Sequence, residues 1–61
     1  MKVYLMVRND EKLYPNNLLI VSRLSEAEKV IEDGFADYYE IVDVLVGDEI
    51  NDIYQRFIGR G

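Results

Sequence analysis

The sequence predicts a small α+β domain in the order ββαβα. Three observations carry this: period-two alternation near the N-terminus, a β-prone run in the second half, and two stretches with apolar residues every three to four positions. Sixty-one residues, 49% of them apolar, make one expected domain over residues 1–61, near the lower size limit for a chain that folds alone. With no cysteine and no histidine, disulfide scaffolds, zinc fingers and hydrolases built on a Ser-His or Cys-His pair are excluded.

The first strand spans Lys2–Arg8, with Val3, Leu5 and Val7 on one face and Tyr4 and Met6 on the other. Asn9–Lys12 and Pro15–Asn17 have turn chemistry, and Leu18–Val21 reads as a second strand in a loose hairpin with the first. Ser25-Glu26-Ala27-Glu28 has the spacing of a capping box. Ala27, Val30 and Ile31 continue it as one apolar stripe. Gly34 ends this helix over 25–33, and Phe35 falls where a Schellman motif sets an apolar residue against Val30.

Tyr38–Val46 is the third strand. Neither of its faces is cleanly polar, so a bulge near Asp43 is expected. Gly47 breaks it and Asp48 is the expected N-cap of a second helix. Ile50, Ile53, Tyr54, Phe57 and Ile58 form its stripe, and Gly59 is expected to end it.

A hairpin followed by a helical return gives a three-stranded antiparallel sheet of order 2-1-3. Two short helices on one face would leave Tyr4, Met6, Val42, Val44 and Val46 uncovered on the other, which predicts a homodimer through these residues. The alternative is a closed monomer in which the second helix covers what the first leaves.

Charge is unevenly placed. The net is −5, but Glu26–Asp52 holds ten acids against one base, Lys29, for −9, between mildly basic ends. Acids in the first turn of each helix answer dipole and capping preferences, and solubility accounts for others. The remainder, interleaved with aromatics, is an expected partner-binding surface: Glu32, Asp33, Asp37, Tyr38, Glu40 and Asp43. A basic protein partner would be steered by this field. Direct nucleic-acid binding and membrane-surface binding are disfavoured, because both need Lys and Arg in number.

Catalytic chemistry is sparse. Asp48 and Asp52 are spaced to share a helix face that could hold Mg²⁺, but no third ligand accompanies them and capping is the better reading. No phosphate loop, dinucleotide fingerprint or EF-hand spacing is present. The expectation is no enzyme, no metal and no cofactor. The N-terminal run lacks signal-peptide features, and no apolar stretch reaches membrane-spanning length, so a cytoplasmic location is expected.

In size, acidity and economy of elements the chain resembles small phage or mobile-element proteins that inhibit host enzymes. That resemblance covers no alignable residues and transfers no site. It implies an inhibitor of a larger nucleic-acid-handling or defence protein, acting in the host cytoplasm if phage-encoded. The alternative is an assembly subunit whose uncovered sheet face is a homo-oligomer interface.

Overall fold

The computed structural model describes residues 1–58 and contains β1 (Lys2–Val7), β2 (Leu19–Val21), α1 (Leu24–Glu32), β3 (Tyr38–Asp43) and α2 (Ile50–Ile58). A single turn of 3₁₀ helix, Pro15–Asn17, lies between β1 and β2. The three strands form one antiparallel sheet of order β2-β1-β3, as the sequence predicts. Gly59, the expected end of α2, and Arg60 lie outside the described residues.

The register is unbroken from Lys2↔Asp43 to Val7↔Tyr38, so the expected bulge near Asp43 is not formed. Beyond it, Met1 and Val44 exchange backbone hydrogen bonds of 3.2 and 2.7 Å. The chain then turns. The Asp48 N–H donates to the Leu45 carbonyl at 3.1 Å, and Gly47 takes φ +91° while Val46 does not go positive. That is the type II pattern, and it ends the strand three residues before the expected Val46.

The largest departure from expectation concerns the faces. The helices do not share one; each covers its own. On one face Val3, Leu5 and Val42 pack with Ile53 of α2, joined by Ile20, Val44 and Phe57. On the other, Met6 packs with Ala27 of α1 and with Ala36, joined by Tyr4, Val30 and Tyr39. β3 carries its mixed pattern without a bulge: Val42 packs toward α2 and Tyr39 toward Met6 on the other face, while Tyr38 and Ile41 stay exposed. Tyr39 and Tyr4, diagonal neighbours across the strands, meet edge to face with ring centroids 5.3 Å apart.

Both helix starts are shifted from expectation. The Ala27 N–H donates to the Arg23 carbonyl at 3.1 Å, which makes Arg23 the N-cap and puts Ser25 inside α1. The Ser25–Glu28 capping box is therefore not formed. At the other end the motif is as expected: Gly34 (φ +84°) donates to Ile31 and Phe35 donates to Val30, both at 3.0 Å, which is the Schellman pair. At α2 the Ile53 N–H donates to the Glu49 carbonyl, so Glu49 is the N-cap, and Asp52 reaches back to the Glu49 N–H at 2.9 Å. Asp48 is used elsewhere.

Candidate interaction surface

The acidic centre divides into groups with local structural duties and groups without them. Asp37 accepts from the Asn9 N–H at 2.7 Å, while its own N–H donates to the Val7 carbonyl at 2.8 Å, locking the end of β1 to the start of β3. Asp33 pairs with Lys29 at 3.2 Å, one helical turn away. Asp48 accepts from the Leu45 N–H at 2.7 Å and forms a two-pronged contact with the Arg56 guanidinium, Nη1 to Oδ2 and Nη2 to Oδ1. Arg56 also donates to the Asp43 carbonyl at 3.0 Å, so one side chain ties the 45–48 turn and the end of β3 to α2. Hydrogen bonds from Arg56, then from the Leu45 N–H, hold the Asp48 carboxyl below its ordinary value.

Asp52, committed to its helix cap, and Asp48, committed to Arg56, do not make a shared cation site. Among the described residues, no three His, Cys, Asp or Glu side chains gather as metal ligands. Among the same residues no helix is long and apolar enough to cross a membrane.

The six expected partner-binding residues do not lie on one face of the sheet. Tyr38 and Glu40 stand opposite Val7 and Leu5, on the α2 side. Asp43 stands opposite Lys2 and so belongs to the α1 side, because side chains alternate along a strand. Glu32, Asp33 and Asp37 gather around the C-terminal end of α1 and the link to β3. In that group Glu32 is exposed, as is Glu28 one turn earlier. Like charges four apart on a helix repel by about 0.2–0.5 kcal/mol, so the Glu28–Glu32 ridge is not there to stabilise α1.

The five residues expected to form an oligomer interface are not brought together. Met6 and Val42 are each 3% exposed within the single chain, on opposite faces. Tyr4 lies beneath α1 and Val44 beside the α2-side core, whereas Val46 is fully exposed in the turn. α1 and α2 pack on opposite faces, so no single face is left bare as the homodimer expectation assumed, and the apolar side chains of β3 left exposed are Tyr38 and Ile41.

A feature that period and charge do not signal lies at Phe35, three residues after Glu32. A cavity of about 120 Å³ opens where the end of β1, the 8–18 connection, the start of β2 and the link after α1 meet. Met6, Leu19 and Phe35 supply apolar walls, and Arg8, Glu11 and Asn17 line its polar side. Phe35 is 65% exposed. Its ring stays in solvent although its backbone completes the Schellman motif. The polar side is held by short-range contacts: Arg8 Nε lies 3.3 Å from Asp10, and Asn17 Nδ2 donates to Glu11 at 3.3 Å and to the Lys12 carbonyl at 3.0 Å. The Tyr54 hydroxyl donates to the Leu13 carbonyl at 3.2 Å and fastens the same connection to α2.

Comparison with protein-family models, with curated proteins and with solved structures finds no match for this chain.

Proposed function

We propose that this chain is a small acidic protein-interaction module that binds a basic surface on a larger protein. In its specific form the reading is an inhibitor that occupies the basic groove of a nucleic-acid-handling or defence protein. The supporting observation is the concentration of a −9 charge between Glu26 and Asp52, part of which does no local structural work. Asp33, Asp37, Asp48 and Asp52 each have a partner that explains them. Glu28 and Glu32 form an exposed like-charge ridge that is open to a partner. A phosphate-binding groove is complementary to such a ridge, since it presents Lys and Arg in a row.

The test is affinity capture from the natural host, followed by binding measurements on whatever is retained. The expected target is a basic protein whose complex weakens at least tenfold between about 50 and about 200 mM salt and is displaced by double-stranded DNA. Retention that ignores both salt and DNA would remove the basis of the reading.

A further inference from the structure

The geometry points to the cavity beneath Phe35 as the anchoring point of this module: it takes one apolar side chain from a basic segment of a partner protein. The inference rests on the acidic-module reading and gives that reading a location.

Size selects the occupant. At about 120 Å³ the cavity is well short of the roughly 300–1,000 Å³ of sites for cofactors and small-molecule ligands. It is of the order of a single leucine or phenylalanine side chain. Its walls suit one: Met6 is buried at its base, while Leu19 and Phe35 are exposed and would lose that exposure on binding. Protein interfaces concentrate their energy at such points, where one apolar anchor fills a pocket inside a polar rim.

Charge selects the segment that carries the anchor. The chain on the helical side of the cavity, residues 28–37, holds Glu28, Glu32, Asp33 and Asp37 against Lys29. The other side, residues 8–12, is balanced, with Arg8 and Lys12 against Asp10 and Glu11, and Arg8 is paired with both acids. The lining itself carries one base and one acid, Arg8 and Glu11, and the excess of acid lies in the segment that leads to and from Phe35. An apolar side chain preceded or followed by Lys or Arg meets both demands, the pocket taking the anchor and the Glu28–Glu32 ridge taking the cations. Phe35 joins the two, three residues beyond Glu32 and itself a wall of the pocket.

The experiment uses two short lysine peptides, one with a central leucine and one with alanine at that position, titrated into the isotopically labelled protein at low salt. The expected result is that the leucine peptide binds about tenfold more tightly, with backbone shifts centred on Met6, Leu19 and Phe35. Leu19→Trp, a change at an exposed position on an edge strand, fills the cavity and should abolish the leucine advantage while both peptides still bind. Phe35→Ala, which removes a wall, should do the same, and retained amide dispersion shows that each variant is folded. Equal binding of the two peptides to the unmodified chain would overturn the pocket and leave the acidic module standing. If neither peptide binds at low salt, both readings fail. Concentration-dependent sedimentation with shifts at these same residues would show that a second copy fills the pocket, which also overturns the inference.

Discussion

The two faces of the sheet are sealed in different ways. On the α2 side the contact is made by large side chains, Ile53 and Phe57 against Val3, Leu5 and Val42. On the α1 side the fully buried partners of Met6 are small, Ala27 with no exposure at all and Ala36, and larger side chains such as Val30 and Tyr4 pack around them half-buried. At its centre the first face is filled by large side chains and the second by alanines. Their helices are also anchored differently. α1 is closed at its C-terminus by backbone hydrogen bonds through Gly34, whereas α2 is tied through Arg56, in its last turn, to Asp48 in the turn that precedes it. A nine-residue helix has little intrinsic stability, so in each case packing and anchoring must supply it.

The largest effect comes from the central strand. Leu5 is fully buried in the central strand, and Leu5→Ala should cost about 2–5 kcal/mol. A single core of this length supplies only about 3–5 kcal/mol in total, so urea denaturation should find that variant largely unfolded at room temperature.

The next pair tests the contrast itself. Ile53→Ala opens a cavity on the face filled by large side chains and should cost about 2–4 kcal/mol. Ala27→Leu overfills the face centred on alanines and should cost about 1–3 kcal/mol, in the opposite geometric sense. Thermal unfolding of both variants decides the matter. If Ala27→Leu is neutral, the α1 face does not need alanine at its centre and the contrast between the two faces falls.

The smallest effect sharpens the difference in anchoring. The folded Asp48 carboxyl titrates below its ordinary value. Its contribution is therefore present above the ordinary carboxylate range and is lost as pH falls through the folded value. Asp48→Asn should lower stability near neutral pH, and the gap from the natural chain should close between about pH 5 and about pH 2. Urea midpoints measured across that range read it directly. A gap that stays constant down to the acid end would show that the carboxylate charge is not what fastens α2.

Element order, strand order and both helical stripes were legible in the sequence, because each depends on local periodicity and on connections too short to permit alternatives. The assignment of helices to faces was not. Tyr39 and Val42 look like inconsistent choices for a one-sided strand and become consistent once each is seen to pack on its own face. The helix starts were missed for a related reason. Ser25 and Asp48 are good caps by residue type, but the N-cap of α1 falls two residues earlier, at Arg23, and Asp48 is drawn away by Arg56, eight positions on. Of the site, the acidic stretch was visible and its division was not. Asp37 is explained by Asn9, which lies 28 residues distant. The cavity joins Met6, Leu19 and Phe35 from three separate segments, and no spacing within the chain announces such a meeting.

The strand order also has a kinetic side. β1 sits in the middle of the sheet yet precedes both neighbours in sequence, and its longer ladder joins residues from Val7↔Tyr38 to Lys2↔Asp43. Closing it brings together positions about 30–40 residues apart, most of the chain, before any of that ladder's hydrogen bonds are gained. During synthesis β1 is therefore exposed along one edge until residues 38–43 arrive, whatever α1 has done by then. Assembly of this domain waits on its third strand, and an interrupted chain that stops short of it carries an open β edge ready to pair with another.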